Sequence, residues 1–465
     1  MVTWLMAIPF AVLLIAIAVV PLIPVAHQWW EKTSNQLVVS LVLGITVSID
    51  MVLAGQSAAV IGSLIEYAQF ILLLFGLFVV AGGIALTGDL AGTPKVNTLF
   101  LAVGALLSSC IGTTGAAMLM IRPLLISNGH RKHRVHTVVF SIFIMANCGG
   151  LLTPLGDPPL FLGLLRGVPF TWTLSLWPEW LLVNALSLVT FYCIDRRFAA
   201  EEDMSRDIVE PLKIVGKLQV VWFAAIILAV AVVPSIDPSA LNHPGAAWWT
   251  LVPWREMIIL TAAGLSWATS EKRARFEVNQ FTFAPIKEVA VLFIGIFLTM
   301  VPALILLDKY AGELPLNPVW LHLMTGGLSS FLDNAPTYAS FFEVAHSSAA
   351  TMPGVPMVAG VAEPYLIAIS TGAVFFGAMT YIGNGPNFMV RSVAAHQGVA
   401  MPSFLGYIGW SLRWLAPILI CSMMIFLAQS RWTTPVGIAL ALFIVVRAVL
   451  IARGTDWIRL PGMSR

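Results

Sequence analysis

Two twelve-residue stretches decide the fold of this chain, because they carry the same pattern of helix-breaking residues. The first is Gly150-Leu-Leu-Thr-Pro-Leu-Gly-Asp-Pro-Pro-Leu-Phe161, and the second is Gly377-Ala-Met-Thr-Tyr-Ile-Gly-Asn-Gly-Pro-Asn-Phe388. Both have Gly, Thr, Gly, an Asp or Asn, Pro and Phe at the same spacing. Each copy interrupts a long apolar segment, so the helix must open there and leave backbone N–H and C=O groups without helical partners.

The composition places these interrupted helices in a lipid bilayer. Of the 465 residues, 58% are hydrophobic and only 10% are charged, whereas about a quarter of the residues in a soluble protein are charged. At membrane depth, irregular backbone is tolerated only where protein buries it or where it lines a cavity. The net charge of +2 predicts no nucleic-acid partner, because the basic residues lie in short loops and form no extended face.

Composition also excludes several kinds of site. The four cysteines lie in apolar segments, which favours a packing role over disulfides or metal binding. No P-loop, His-Glu-x-x-His or paired Cys-x-x-Cys motif occurs. We therefore expect no cofactor, no resident metal and no enzymatic activity. The apolar run from Leu5 to Pro24 follows no basic segment and is interpreted as a retained first span.

Apolar segments long enough to cross a bilayer occur eleven times. They cover 4–24, 36–54, 64–87, 136–165, 173–194, 218–234, 254–269, 288–307, 364–395, 405–428 and 435–452. Two further segments, 97–126 and 317–345, have polar centres. Folded at those centres, each gives two arms of about 13 residues, roughly 20 Å of helix, which reach the midplane and return. We interpret both segments as re-entrant hairpins.

Loop charge supports this interpretation. If the hairpins do not cross, most of the 25 basic residues fall on one side of the membrane, and only Arg166, Arg255, Lys309 and Arg431 fall in loops on the other. The basic side is expected to be cytoplasmic. We therefore predict a cytoplasmic (inner) membrane protein with its N-terminus outside and its C-terminus in the cytoplasm.

Further matched residues extend the repeat along the chain. Phe75-Gly76-Leu-Phe78 matches Ile294-Gly295-Ile-Phe297, and Ser108-Ser109 matches Ser329-Ser330. Each half runs three spans, hairpin, broken span and span, and five crossings are an odd number, so the halves must be inverted. The predicted units are 1–195 (hairpin 97–126, broken helix 136–165), a cytoplasmic linker at 196–217, 218–428 (hairpin 317–345, broken helix 364–395), and an extra C-terminal helix and tail at 429–465.

Paired helix breaks in two halves of a chain point to a transport site near the midplane. Asp157 in the first break and Asp333 at the second hairpin tip carry carboxylates, which are costly in a bilayer and are retained with a partner or a task. Competition of H⁺ and Na⁺ for the same oxygens would couple the two ions. The remaining predicted ion or substrate ligands are Asn334, Thr153, Thr380, Asn384, Asn387, Ser109, Thr113, Thr114, Ser330 and Thr337.

Several of these residues have plainer interpretations. For Asp157 the alternative is a helix cap. For Thr153 and Thr380 it is a side-chain hydrogen bond back to the preceding turn of a helix. Asp50 in the second span is a candidate for a proton path. Glu66 and Glu288 are interpreted as interfacial. His130, His133 and His136 lie in a basic loop, where topology explains them better than metal binding.

The Gly-Asp-Pro-Pro break, the Leu332-Asp333-Asn334-Ala-Pro-Thr337 tip and Tyr381-Ile-Gly-Asn-Gly-Pro-Asn-Phe388 resemble the ion transporter superfamily, particularly its sodium:proton antiporters. These are related to NhaD-type antiporters and to citrate, dicarboxylate and arsenite carriers. The similarity covers nearly the whole chain. It implies a scaffold and a moving transport domain, usually in a homodimer that works by an elevator motion.

One departure bears on the substrate. Dicarboxylate carriers of this superfamily have Ser-Asn-Thr at their hairpin tips, whereas the tips here read Gly112-Thr113-Thr114 and Asp333-Asn334-Ala. An acidic tip repels an anion unless a cation neutralises it, so Na⁺/H⁺ antiport is the leading hypothesis and cation-coupled transport of citrate or a dicarboxylate is the alternative. An intramembrane aspartyl protease would need Tyr-Asp and Gly-x-Gly-Asp, which are absent. A channel would not need inverted helix breaks.

Overall fold

The computed structural model describes residues 2–202, 210–236, 247–310, 316–348, 354–428 and 430–454. The helices are α1 (Trp4–Val19), α2 (Pro24–Trp30), α3 (Thr33–Leu53), α4 (Ser57–Gly82), α5 (Pro94–Ile111), α6 (Thr113–Ser127), α7 (Val135–Ile144), α8 (Pro158–Leu165), α9 (Trp177–Ala199), α10 (Gln219–Val232), α11 (Trp254–Thr269), α12 (Ala284–Tyr310), α13 (Pro318–Ser329), α14 (Asn334–Ser347), α15 (Glu363–Phe376), α16 (Gly385–His396), α17 (Phe404–Trp410), α18 (Ala416–Phe426) and α19 (Thr433–Ala452). The strands are β1 (Ala85–Asp89), β2 (Glu210–Val215), β3 (Met357–Val358) and β4 (Val361–Ala362).

The predicted fold class, an all-α polytopic membrane protein, is confirmed. Eight helical stretches in the described part of the chain are long and apolar enough to span a bilayer, and shorter apolar helices occupy other predicted spans. Part of the predicted linker, residues 203–209, and the tail after residue 454 lie outside the described residues.

The first hairpin is built from longer arms than the sequence predicted. Helix α5 has 18 residues and α6 has 15, so either arm exceeds the predicted half-membrane length. The chain nevertheless reverses at Gly112, whose φ of +82° favours glycine. Asn97 and Asn128, near the open ends of the two arms, exchange hydrogen bonds of 2.9 and 2.8 Å. The start of α5 and the end of α6 therefore lie on the same side, as a re-entrant hairpin requires.

The helices pack in two groups. The first group contains α1, α3, α4, α10, α11 and α12, and the second contains α5–α9 and α13–α19. Within the first group α3 packs on α12 while α4 packs on α11, and α1 packs on α12 while α10 packs on α4. These four contacts form two matched pairs when α1, α3 and α4 are exchanged for α10, α11 and α12, as an inverted repeat would give.

Matched glycines lie at two of these helix contacts. A Cβ on Gly76 of α4 would lie 2.4 Å from Ile259 of α11, and one on Gly295 of α12 would lie 2.7 Å from Ser40 of α3. Small residues allow membrane helices to approach closely. The glycines that align in the two repeats therefore have the same packing role in each half.

Two connections between the groups pair as strands. β1 follows α4 and β2 precedes α10, and they pair antiparallel with Ala85 opposite Val215 and Leu86 opposite Ile214. The sequence predicted only a polar linker here. The pairing satisfies the backbone of both connections at one end of the bundle.

Candidate functional site

Both helix breaks depend on a contact between two glycines. In the first break α7 ends at Ile144 and α8 begins at Pro158; in the second α15 ends at Phe376 and α16 begins at Gly385. A Cβ on Gly156 would lie 2.0 Å from the carbonyl oxygen of Gly150, and one on Gly383 would lie 2.6 Å from that of Gly377. Only glycine permits this approach, which explains why the two glycines recur at the same spacing.

A threonine joins each break to the neighbouring hairpin tip. Thr153 Oγ1 donates to the carbonyl oxygen of Ser109, and Thr380 Oγ1 donates to that of Ser330. The same hydroxyls accept from backbone N–H groups, Leu155 at 3.2 Å and Gly383 at 3.1 Å. Both threonines have extended backbones, so neither is the back-bonding helical residue considered above. Their hydroxyl protons are used to hold the fold together.

The carboxylate of Asp157 is the point where hairpin tips and helix breaks meet. Asp157 is fully buried, and it accepts from Thr113 Oγ1 at 3.1 Å, from Asn334 Nδ2 at 2.7 Å and from Asn384 Nδ2 at 3.3 Å. Thr113 comes from the first tip, Asn334 from the second tip and Asn384 from the second break. Asp157 is the N-cap residue of α8, but its side chain makes no capping hydrogen bond there, so the cap does not use the carboxylate.

The structure adds a residue that the sequence interpretation missed. Asn147, fully buried, donates to Asn387 Oδ1 at 2.7 Å and accepts from Asn384 Nδ2 at 3.1 Å. Asn387 in turn donates to the carbonyl oxygens of Gly377 and Thr380 at 2.7 and 2.8 Å. The three amides tie the first break to the second. The available signal was an isolated Asn three residues before Gly150, in an otherwise apolar run.

Asp333 has a different environment from Asp157. It is partly exposed and caps α14, because its Oδ1 accepts from the N–H of Ala335 at 3.2 Å. Thr337 Oγ1 donates to the Asp333 carbonyl oxygen at 3.0 Å. Asp333 and Asp157 line the same cavity.

The hydroxyls of Ser109 and Ser330 donate to backbone carbonyl oxygens. Ser109 Oγ donates to the carbonyl oxygen of Gly149 at 2.5 Å, and Ser330 Oγ donates to that of Gly326 at 2.9 Å. Like Thr153, Thr380 and Thr337, they stabilise the tips and breaks rather than present hydroxyl protons to a ligand.

The cavity lies between the two helix groups and has a volume of about 100 Å³. Its polar side comes from the second group and its apolar wall from the first. The polar lining residues are Thr113, Thr114, Asp157, Asp333 and Asn384; the wall includes Phe70, Leu73, Leu77, Val289 and Phe293. No lysine, arginine or histidine stands among the described residues that line it. The space is large enough for several water molecules.

A second cavity of about 200 Å³ adjoins the first. The two cavities share the lining residues Phe78, Thr114, Gly115, Pro285 and Met389. The second cavity reaches residues 279–282 of the loop before α12, on the side predicted to be cytoplasmic. Arg122 lines this second cavity, and its Nε is buried without a hydrogen-bond partner.

Other residues singled out from the sequence lie elsewhere. Asp50 is on α3 in the first group and does not line either cavity, so the structure does not join it to the site. Glu288 accepts from Gln36 at 3.2 Å. Glu66 pairs with Arg166 at 3.5 Å, and Arg166 also pairs with Glu343 at 3.3 Å. Both glutamates therefore connect helices, and neither lines the cavity that contains Asp157.

His136 differs from the loop residue that was expected. It lies in α7, is buried, and contacts Asp195 at 2.8 Å. Asp195 also pairs with Arg131 at 2.5 Å and accepts from Asn97 at 2.9 Å. This cluster joins the open end of the first hairpin to α7 and α9. The sequence could not reveal it because its members are distant along the chain.

Comparison with known sequences assigns the chain to a family of membrane transporters. Residues 1–427 match the CitMHS_2 family, whose description reads "Putative citrate transport". A comparison with curated proteins finds no match. Since the family match covers nearly the whole chain, the protein belongs to the CitMHS_2 family and is a multi-pass membrane protein of the secondary-transporter class.

Proposed function

We propose that this protein exchanges Na⁺ for H⁺ at the cavity lined by Asp157 and Asp333. The observation that carries the proposal is the charge of that cavity. Two carboxylates line it, and no basic side chain stands among its described lining residues. An anion would meet only negative charge there, whereas a small cation would meet carboxylate and amide oxygens.

Hydrogen bonding gives the two carboxylates different tasks. Three donors hold the carboxylate of Asp157 in place, so its oxygens are oriented before an ion arrives. Asn334 Oδ1 is buried beside it and has no hydrogen-bond partner, which leaves one amide acceptor for a cation. Asp333 caps α14 with one oxygen and completes the ligand set with the other.

Coupling follows from electrostatics. Two ionised carboxylates in one poorly solvated cavity repel each other, and either a proton or a Na⁺ relieves that repulsion. Because both ions need the same oxygens, binding of one disfavours the other. The apparent KM for Na⁺ should therefore rise as the pH falls, by up to about tenfold per pH unit when one proton competes.

Alternating access in this proposal is a movement of the second helix group along the first. The apolar wall from α4 and α12 offers a surface without fixed polar contacts to the ion. The family resemblance implies that the protein is a homodimer. The distribution of basic residues among the loops predicts that it lies in the cytoplasmic membrane with its N-terminus outside.

The second candidate is cation-coupled transport of citrate or a dicarboxylate. Two observations favour it: the description of the family, and Arg122, which lines the adjoining cavity where no acidic residue stands among the described lining residues. In that case the aspartates hold the coupling cation and Arg122 attracts a carboxylate.

Inverted membrane vesicles distinguish the two candidates. Na⁺ added to respiring vesicles should dissipate the proton gradient. The Asp157→Asn and Asp333→Asn substitutions should each abolish this dissipation. Glu277→Gln, which removes an exposed carboxylate from the loop before α12, is the control and should keep full activity. Citrate-dependent uptake without Na⁺-driven proton movement would overturn the antiport proposal.

A further inference from the structure

The two amides that donate to Asp157 differ in what else holds them. Asn384 Nδ2 also reaches the carbonyl oxygen of Ala146 at 3.2 Å and Asn147 Oδ1 at 3.1 Å, so its amide is fixed in one orientation. Among the described residues, Asn334 Nδ2 donates only to Asp157 Oδ2, at 2.7 Å. The Asn334 oxygen, Oδ1, is buried and has no hydrogen-bond partner there. One amide is therefore locked, and the other is held by a single contact.

The two oxygens of Asp157 have different neighbours. Oδ1 accepts from Thr113 and Asn384, and both of these residues line the cavity together with Asp157. Oδ2 accepts from Asn334, whose side chain is fully buried. Water in the cavity therefore cannot replace the Asn334 amide as the partner of Oδ2.

The contacts of Asp157 suit an ionised carboxylate, because all three of them donate to it. A protonated carboxyl group carries an O–H that must itself donate, and a buried donor without an acceptor is costly. At Oδ1 the locked amide of Asn384 presents only N–H. At Oδ2 an acceptor is one rotation away, since a half turn of the Asn334 amide exchanges its nitrogen and oxygen without moving the chain.

The titratable groups around Asp157 supply no fixed positive charge within the described part of the chain. They are Asp333 at the second tip and Cys148 in the first break. The first tip and the second break contribute the uncharged side chains of Thr113 and Asn384. The charge of Asp157 must therefore be balanced by a mobile ion, either a proton or a cation.

We propose that the Asn334 amide turns by half a rotation each time Asp157 exchanges a cation for a proton. This inference rests on the proposed exchange and adds the residue that responds to the proton. When the carboxylate is ionised, Asn334 Nδ2 donates to Oδ2, as in the structure. When Oδ2 is protonated, the carboxyl O–H donates to Asn334 Oδ1. The O–H bond of Asp157 is the one bond that forms and breaks, and its proton is the transported ion.

The rotation makes the binding of Na⁺ and the binding of a proton exclude each other. A proton on Oδ2 neutralises the carboxylate, so the cavity loses a charge that attracts a cation. The same rotation engages Asn334 Oδ1, which then cannot bind a cation. Asn334 is therefore a positioning residue that stabilises each charge state of Asp157 with a different atom of one amide.

Infrared difference spectra of the full-length protein, recorded between high and low pH without Na⁺, test this proposal. The wild type should show at low pH the C=O stretch of a hydrogen-bonded carboxylic acid, which Na⁺ removes and which Asp157→Asn lacks. Asn334→Leu keeps the shape of Asn without its donor and acceptor, so this band should move to the higher frequency of an acid that donates no hydrogen bond. Thr113→Val is the matched comparison. It removes the hydroxyl that is the rival acceptor, and the band should stay at its wild-type frequency.

Two results would overturn the rotation alone: a Na⁺-sensitive band that keeps its wild-type frequency in Asn334→Leu, or a band that shifts only in Thr113→Val. A wild type without any Na⁺-sensitive carboxyl band would overturn the exchange at Asp157 as well, so the two failures are distinguishable.

Wild-type protein labelled with ¹³C-asparagine gives a second measurement if Asn334→Leu does not fold. A side-chain amide C=O band should shift with the same pH midpoint as the Asp157 band, because the amide oxygen gains a hydrogen bond. The shift should be absent in Asp157→Asn. A labelled amide that does not respond to pH would contradict the rotation.

Discussion

Asn334, at the tip of the second hairpin, donates from Nδ2 to Asp157 Oδ2 in the first helix break at a distance of 2.7 Å. The two residues are 177 positions apart in the chain, and both are fully buried. One hydrogen bond thus connects the two halves of the chain at the carboxylate on which the proposed ion exchange depends. The amide oxygen of Asn334, Oδ1, is buried and has no hydrogen-bond partner.

Replacing Asn334 with Ala should weaken cation binding without unfolding the protein. The change removes a donor to a buried carboxylate and an acceptor for the ion, which together cost about 1–3 kcal/mol. The KM for Na⁺ in inverted vesicles should therefore rise by about five- to 150-fold. An unchanged KM would show that this amide has no part in ion binding.

Gly383 and Gly385, two residues apart in the second break, should respond differently to substitution by Ala. A Cβ at Gly383 would lie 2.6 Å from the Gly377 oxygen and 2.7 Å from the Ser329 oxygen, whereas a Cβ at Gly385 meets nothing within 4 Å. Gly383→Ala should cost about 1–3 kcal/mol and lower the Tm in detergent. Gly385→Ala should leave it unchanged; equal effects would contradict the geometry of the break.

Replacing Thr380 with Val should destabilise the protein by leaving the Ser330 carbonyl oxygen without its donor. We expect a loss of about 1–3 kcal/mol, measured as a lower Tm. Thr380→Ser keeps the hydroxyl and should restore most of the stability. If Thr380 acts only as an ion ligand, Val would instead change the KM for Na⁺ and leave the Tm unaltered.

Removing Glu66 should shift the balance between conformations. Glu66 belongs to α4 in the first helix group, whereas Arg166 and Glu343 belong to the second. A partly exposed pair contributes up to about 1 kcal/mol, so Glu66→Gln should reduce the population of this conformation by up to about fivefold. The measurement is maleimide labelling of a Cys at position 114, which lines both cavities, in a Cys110→Ser background because Cys110 is exposed.

Glu343→Gln provides the control for that experiment. It removes a contact with the same arginine, but both partners lie in the second group and move together. Labelling at position 114 should therefore equal that of the same Cys110→Ser protein with both glutamates present. A decrease equal to that of Glu66→Gln would show that the ion pair with Arg166 matters for local folding and not for the position of the two groups.

The sequence by itself determined the fold class, the two hairpins and the two helix breaks. These features follow from local rules: apolar length gives the spans, and Gly and Pro at matched spacing open the helix wherever they occur. The matched glycines Gly150–Gly156 and Gly377–Gly383 could be recognised without coordinates because their effect on the backbone is confined to a few neighbouring residues.

Only the tertiary structure decided which polar side chains meet. It brought Asn334 and Asn384 to Asp157, added Asn147, turned Thr153 and Thr380 into links between break and tip, and left Asp50 on a separate helix. It also joined His136 to Asp195. Such contacts depend on how distant helices pack, and a local sequence pattern carries no information about that, because each polar side chain takes its partner from whichever helix the packing places beside it.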